Sequence, residues 1–367
     1  MSDVGGRGGD AVTGGMKAAG YYDAHSEYQR RVVEGGDAAI RSQVAAIDLE
    51  AVDGAFGIAD YGAGTGGTSV HSMRTAVAAL RDRDAGRPVL AIHNDVITND
   101  FTQLFGNVAG ERGYLGLRGG PVYATAAAGS FYTQVVPAGT VHLGTCSNAS
   151  HWYREQPRLR LPDSMFFCDA PADARRELAE QAAGDWSAFL AARAAELASG
   201  GRMFVEGIGR TEAAGGGELV SAARLLRAMW DVAVSLSEDG KLDRDVLDGY
   251  VFPVYCRSAE EATAPARGEL ADSFEVASAD VDEVPNPYWE QLQRDGDRDA
   301  YAAAYTAFVR AFSESTMTAH LFEPGARGLD AAKLCDEYFA RFEAATAADP
   351  EAGRYEAWIL RIVLVRG

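Results

Sequence analysis

Apolar residues in this chain follow two spacings, and the alternation between them predicts its layout. Compact apolar blocks at 56–61, 87–92, 122–127, 140–145 and 201–208 end abruptly in polar residues or glycine. Such blocks read as strands covered on both faces. A last segment, 355–365, alternates instead, with Trp358, Leu360, Ile362 and Leu364 on one side, the period of a strand. Stretches between the blocks read as helices: 26–33 with Ser26 as N-cap, 37–49, 70–83, 100–105 capped by Asp100, 173–199 with a break at Gly184-Asp185, 218–237, 298–321 and 329–345. In 218–237 the expected buried set is Leu219, Leu225, Leu226, Met229 and Trp230. The acidic, proline-punctuated stretch 280–299 reads as an exposed connection.

Strands that alternate with helices predict an α/β fold. Helical material after Pro162 and after Gly216 exceeds what crossovers need. It is expected to cap one end of the sheet. The resulting division is a disordered tail at 1–15, a core at 16–160, 186–215 and 268–367, and a helical cap at 161–185 and 216–267.

The stretch Phe56–Tyr61 changes the picture from layout to chemistry. It leads into a turn holding Gly62, Gly64, Gly66 and Gly67, then into Thr68-Ser69 at the head of a helix. Strand, glycine turn and helix N-terminus together make a ligand cradle, because glycine lets a ligand approach the backbone. Gly62, Gly64 and Gly67 fit the dinucleotide spacing GxGxxG. Asp60, at the strand mouth, would repel a pyrophosphate but suits the ammonium and sulfonium of S-adenosylmethionine. Both NAD and S-adenosylmethionine therefore stand as candidates, with the charge favouring the second. Asp95 ends the next strand, where open parallel sheets bind ligands, and could accept both ribose hydroxyls. Ser130 and Phe131 follow the third strand and could hold an adenine by hydrogen bond and stacking.

Composition narrows the partners. A net charge of −19 excludes a nucleic-acid footprint. No apolar run approaches the length of a membrane span, and no signal-peptide pattern opens the chain. Cys146, Cys168, Cys256 and Cys335 are scattered without a C-x-x-C, so the expectation is a reduced, cytoplasmic protein.

Four motifs together resemble the SABATH family of S-adenosylmethionine-dependent methyltransferases, which make methyl esters of salicylate, benzoate, jasmonate and indoleacetate and N-methylate xanthines. Against the family pattern S-Y-x-x-N-S-x-x-Q, Tyr22, Ser26 and Gln29 match, with His25 in place of asparagine. Against I-A-D-L-G-C-S-S-G, Ile58-Ala59-Asp60, Gly62 and Gly66 match, with Ala63 in place of the cysteine. Asn94-Asp95 and Asn99-Asp100-Phe101 match N-D-L-x-x-N-D-F-N. Gly129-Ser130-Phe131-Tyr132 and His151-Trp152 match G-S-F-Y and S-x-x-H-W.

The resemblance implies a Rossmann-like class I methyltransferase core with a helical cap, usually dimeric. It implies that Tyr22, Ser26, Asp60, Gly62, Asp95, Val96, Ser130 and Phe131 hold S-adenosylmethionine. Gln29, His151 and Trp152 would face the acceptor, where an amide and an indole N–H grip a carboxylate. Some family members carry magnesium near a D-x-F-N segment. Here that segment reads Asp248-Gly249-Tyr250-Val251, and valine cannot ligate a metal, so no metal is expected.

The expected reaction is methyl-ester formation on a small aromatic carboxylic acid, with Trp230, Tyr250, Phe252 and Tyr255 as candidate wall residues. A carboxylate is already ionised at neutral pH and needs no general base. N-methylation of a small heterocycle, or binding of S-adenosylmethionine without turnover, are the competing expectations.

Overall fold

The computed structural model describes residues 25–367. The expected tail at 1–15 and the candidate Tyr22 lie outside them. Helices α1 (Glu27–Gly35) and α2 (Asp37–Ala46) lead to β1 (Phe56–Tyr61), α3 (Ser69–Arg83), β2 (Val89–Asp95), α4 (Phe101–Ala109), β3 (Val122–Ala128) and β4 (Val141–Ser147). Then follow α5 (Ala172–Glu196), β5 (Leu197–Ile208), the small hairpin β6 (Arg210–Glu212) and β7 (Glu218–Val220), and α6 (Ala223–Glu238). The chain continues with α7 (Arg244–Asp248), α8 (Ala259–Arg267), β8 (Phe274–Val284), α9 (Pro287–Asp295), α10 (Arg298–Met317), α11 (Ala331–Ala348) and β9 (Ala357–Arg366).

One seven-stranded sheet runs in the order β3-β2-β1-β4-β5-β9-β8. Its neighbours are parallel except at β9, which is antiparallel to both β5 and β8. Strand β1 is buried along its whole length because both faces are covered. Phe56 and Ile58 pack with Val70, Met73 and Val77 of α3, whereas Ala59 and Tyr61 pack with Trp186, Phe189 and Leu190 of α5. A third apolar cluster joins Tyr28 and Val32 of α1 to α6, α10, α11 and the segment around Phe252. It sits beyond the carboxyl ends of the parallel strands and forms the roof of a large cavity.

Several elements differ from the sequence expectation. Helix α5 is continuous across Gly184-Asp185. An interior glycine costs about 1 kcal/mol, and burial of Ala182, Trp186 and Phe189 outweighs it. Part of the supposed connection at 280–299 is the end of β8, an edge strand bonded only to β9. Its outer acids, Glu275, Asp280, Asp282 and Glu283, hide its strand character, and charge is how proteins protect such an edge. The rest of that stretch folds as α9, where the Asn286 side chain accepts from the N–H groups of Tyr288 and Trp289. The helix expected from residue 218 starts at Ala223, with Leu219 on β7; Leu225, Leu226, Met229 and Trp230 are buried as anticipated. Ser26 occupies the N-cap of α1 without a side-chain cap bond. Asp100 does cap α4, accepting from Gln103 N–H. Beyond Met317 the chain continues as a π-helical turn, Thr318–Phe322.

Candidate active site

Strand order reverses between β1 and β4, and open α/β sheets bind ligands at that crevice. The glycine turn occupies it. Gly62, Gly64 and Gly66 have φ of 81°, 55° and 84°, values that favour glycine. A Cβ on Gly62 would stand 2.3 Å from the Ala149 methyl, so space as well as conformation requires glycine there. The turn is tied to the end of β2. Gly62 and Ala63 N–H donate to the Asn94 carbonyl, and Asn99 Nδ2 donates to the Gly64 carbonyl across 2.7 Å. Asp95 Oδ2 accepts from Gly64 N–H at 2.6 Å and Oδ1 from Val96 N–H at 2.8 Å. Burial holds the Asp95 carboxyl above the usual carboxylate range, while those two donors pull it back. Each carboxylate oxygen still has a lone pair for a ligand hydroxyl.

A cavity of about 1070 Å³ opens from this turn and runs under the helical roof. Drug-sized ligands fill pockets up to roughly 1,000 Å³, so this one has room for a nucleoside cofactor and a small second molecule. From the expected cofactor set it is lined by Gly62, Asp95, Val96, Ser130 and Phe131; from the expected acceptor set by Gln29, His151 and Trp152. These residues come from α1, the glycine turn and the ends of β2, β3 and β4. The fold alone brings them together.

Five expected residues stand off the lining. Ser26 is fully buried at the head of α1. Asp60 is buried beneath the turn, where Oδ1 accepts from Thr145 Oγ1 at 3.1 Å and Oδ2 stands 3.8 Å from His93 Nδ1. Tyr255 and Trp230 were expected in the wall and are not there. The segment around residues 252–255 pairs with 151–153, through Tyr255 N–H to the His151 carbonyl and a bridge between Trp152 and Val254. Extended backbone alternates its faces: Phe252 and Val254 line the cavity, and the Tyr255 hydroxyl turns away to bond Glu261 at 2.8 Å. On α6 the lining ends at Ala222, Leu225 and Leu226. Trp230 lies a helical turn further on, beside a small separate pocket with Asp169 and Arg227. Tyr250 is likewise buried in the roof, off the lining.

The acceptor side of the cavity is apolar, with polar atoms set into it. Phe252 lies 5.9 Å from the Trp152 ring and 6.3 Å from Phe312 of α10. Among the described residues, Gln29 Oε1, Asn148 Nδ2, His151 Nδ1, Gln156 Oε1 and His320 Nε2 are buried without a hydrogen-bond partner, and all five residues line the cavity. Burial, with a smaller push from Arg257, lowers the His151 pKa to about 3, so this imidazole is neutral at physiological pH.

Sequence reasoning missed the supports behind the lining. Arg193 and Glu196 form a fully buried pair at the end of α5. Arg193 donates to the carbonyls of Phe131 and Thr133 at 2.7 and 3.0 Å, and Glu196 accepts from Val135 N–H at 2.5 Å and Tyr61 hydroxyl at 2.6 Å. The Tyr132 hydroxyl donates to the Trp152 carbonyl at 2.6 Å. Asn148 and Ala222 are the non-glycine residues with positive φ among those described, at 56° and 63°, and both line the cavity; such conformations cluster at functional sites. No local pattern announces any of these.

Among the described residues no group of three or more His, Cys, Asp or Glu side chains is arranged to hold a metal. Asp248, the acid of the D-x-F-N-like segment, is bonded to Arg244 at 2.6 Å and Arg160 at 2.8 Å.

Comparison with known proteins bears on the fold and the family. The sequence profile of a family described as SAM dependent carboxyl methyltransferase matches residues 11–367. Gibberellic acid methyltransferase 2 of Arabidopsis thaliana is 27% identical over 317 residues, covering 80% of this chain and 78% of that protein. Loganic acid O-methyltransferase of Catharanthus roseus is 26% identical over 324 residues, covering 82% and 81%. The solved structure of a loganic acid methyltransferase with SAH superposes with a TM-score of 0.78 at 23% identity, covering 96% of this chain and 98% of that one.

Proposed function

Since the chain belongs to the S-adenosylmethionine-dependent carboxyl methyltransferases, and so methylates small carboxylic acids, we propose that its acceptor is an acid with an apolar, aromatic body whose carboxylate is held by Gln29 and Trp152. One observation carries this reading: the strand-end residues Asp95, Ser130 and Phe131 and the pair Gln29 and Trp152 line the same cavity. In this reading Asp95 takes the ribose hydroxyls and Ser130 and Phe131 the adenine. Val96 and the turn at Gly62 complete the cofactor end. Ser26 and Asp60 act from behind the lining, through α1 and through the strand end beneath the turn. When bound, S-adenosylmethionine supplies a methyl group on a sulfonium.

The protein's own part is to hold an oxygen in line with that methyl. Gln29 has a buried amide atom without a partner; the amide can turn its NH₂ to a carboxylate oxygen, and the Trp152 indole N–H can meet the other. Neither donor neutralises the oxyanion with a proton. His151, neutral by burial, adds a weak donor and no general base. Phe252, Phe308 and Phe312 line the acceptor end, where they exclude water and leave positioning as the main source of acceleration.

We further take the cap to comprise 161–185 and 216–267 together with α9 to α11, which share one apolar cluster with α6. All four cysteines are free, which supports a reducing, cytoplasmic setting. No helix among the described residues is long and apolar enough to cross a membrane. A homodimer is the assembly we propose from the family resemblance; light scattering in solution tests it.

A screen of aryl acids and small heterocyclic amines with methyl-labelled S-adenosylmethionine tests the acceptor. A labelled product that mild alkali hydrolyses is expected. An alkali-stable product would replace ester formation by N-methylation, and turnover confined to acids without an aromatic body would remove the aromatic part.

A further inference from the structure

Two of the unpartnered polar atoms belong to residues with no part in the proposed carboxylate grip, Gln156 and His320. Gln156 Nε2 donates to the Val251 carbonyl at 2.6 Å. That bond fixes the orientation of the amide and leaves Oε1 as a buried acceptor without a partner on the cavity lining. Val251 precedes Phe252, whose ring meets Phe312. Phe308, Phe312 and His320 all line the cavity from α10 and its π-helical extension. Phe308 and Phe312, four residues apart, share one helical face, and the π-helical turn carries His320 into the same lining.

The order along this lining is informative. Phe308 touches Tyr28, the neighbour of Gln29, at 5.9 Å between ring centres. Phe312 touches Phe252, the neighbour of Val251. His320 comes last, about 12 Å of helical rise beyond Phe312. His320 Nε2 is buried without a partner among the described residues. It sits on a π-helical turn, a feature that recurs at functional sites. Burial also lowers the imidazole pKa, against a smaller raising effect of Glu323, which favours the neutral ring, whose Nε2 donates or accepts according to tautomer.

An acid with only an apolar body leaves both atoms desolvated and unpaired, which is costly. A hydroxyl satisfies either of them, donating to Gln156 Oε1, or accepting from or donating to His320 Nε2. We propose that Gln156 and His320 are polar points on the cavity wall that select carboxylic acids carrying a hydroxyl in addition to the carboxyl group. This inference rests on the ester-forming reading and adds to it a second functional group on the acceptor.

The test is a panel of matched acids, each with and without a terminal hydroxyl: straight-chain acids of graded length, and cinnamate against 4-hydroxycinnamate. For each pair the ratio of kcat/KM values is measured with the wild-type enzyme and with His320→Leu, Gln156→Leu and His320→Gln. For at least one pair the wild type is expected to favour the hydroxylated acid by about tenfold or more, since sites built around a hydroxyl reject its analogue strongly. His320→Leu should lower that ratio toward one while conserving or raising kcat/KM on the plain acid; Gln156→Leu, which also gives up the bond to the Val251 carbonyl, is read by the ratio alone and should lower it likewise. His320→Gln, which keeps hydrogen-bonding capacity, should retain part of the preference. Calorimetric S-adenosylmethionine affinity equal to wild type shows that a variant is folded. A wild-type ratio near one for every pair, or a preference that survives both leucine variants, overturns the proposal. Product identity is read separately: absence of any alkali-labile ester from the whole panel sinks the underlying ester-forming reading instead.

Discussion

The Arg193 guanidinium donates to the Glu196 carboxylate across 2.8 Å, and neither side chain reaches solvent. In sequence this is an i,i+3 pair within an alanine-rich helix, indistinguishable from a surface ion pair. In the fold it is a clamp. Arg193 lies 3.9 Å from the Tyr61 ring centre and binds the carbonyls of Phe131 and Thr133, while Glu196 gathers the N–H groups of Val135 and Val136. The segment that presents Ser130 and Phe131 to the cavity thus hangs from one buried ion pair.

Removing one member of a buried pair leaves an uncompensated charge and costs about 3–5 kcal/mol. Arg193→Met is therefore expected to lower stability by that order in denaturant melts. Arg193→Lys keeps the charge but cannot span two carbonyls and a carboxylate in one plane. It should fold, lose S-adenosylmethionine affinity by about tenfold, equivalent to 1.4 kcal/mol, and leave the KM for the acid unchanged. Wild-type cofactor affinity in a folded Arg193→Lys enzyme would separate the clamp from the cofactor site.

Asp95 is the direct counterpart of that indirect effect. Both of its oxygens already accept backbone bonds from the glycine turn, so Asp95→Ala removes a turn support along with the proposed ribose contact. A loss of about 1.5–3 kcal/mol in S-adenosylmethionine binding is expected, the range for hydrogen bonds to a charged group. Unchanged calorimetric affinity would take Asp95 out of the site.

The parts of this molecule that sequence made legible share a property: their meaning is local. Apolar blocks such as 56–61 could be read as strands because burial on both faces leaves no polar residue to confuse the pattern. The glycine turn could be read because positive φ demands glycine. Motifs singled out Gln29, His151 and Trp152, and all three line the cavity; the roles given to them are proposals. What escaped depends on register in three dimensions. Tyr255 and Phe252 belong to one short aromatic stretch, and only pairing with residues 151–153 decides that Phe252 faces inward. Trp230 belongs to the right helix face but lies past the cavity's end. β8 carried the charges of an edge strand and so looked like a loop. His320 reaches the cavity through a π-helical turn, which shifts the register that a regular helix would give.

Metal dependence is tested by the residues around Asp248. Two arginines occupy its carboxylate, and Val251 offers no ligand. Turnover is expected to be insensitive to EDTA. A rate lost to chelation and restored by magnesium alone would contradict this reading of the segment.

Glu206 gives a pH signature. Burial pushes its pKa up to about 7 from the ordinary 4.5, with Arg361 and Ser147 opposing. The folded state therefore binds this proton more tightly than the unfolded chain. Between about pH 4.5 and about pH 7 the folded state holds more protons, so this group's contribution falls as pH rises, by about 3 kcal/mol at most. Glu206→Gln removes that titration. Its stability relative to wild type should rise steadily across the window and level off above it. Denaturant melts at successive pH values measure the difference, and parallel curves would assign Glu206 an ordinary pKa.

The acceptor end is tested by a split between kinetic and binding constants. Trp152 is held independently of its side chain, by the Tyr132 hydroxyl on its carbonyl and by its bridge to Val254. Trp152→Phe should therefore keep the fold and an aromatic wall while losing the indole N–H together with the smaller ring that carries it. Gln29→Ala likewise removes an amide that has a buried atom without a protein partner. If the two side chains hold the carboxylate, each variant loses acceptor positioning and nothing at the cofactor end. The expected result is a drop in kcat/KM for the acid of about tenfold or more, the effect of 1.4 kcal/mol on a barrier, with calorimetric S-adenosylmethionine affinity unchanged. The double variant should lose less than the product of the single losses, because two donors that orient one carboxylate act as a unit. Strict additivity would mean that Gln29 and Trp152 act on different parts of the acceptor. Wild-type kcat/KM in either variant would show that the carboxylate is held elsewhere in the cavity.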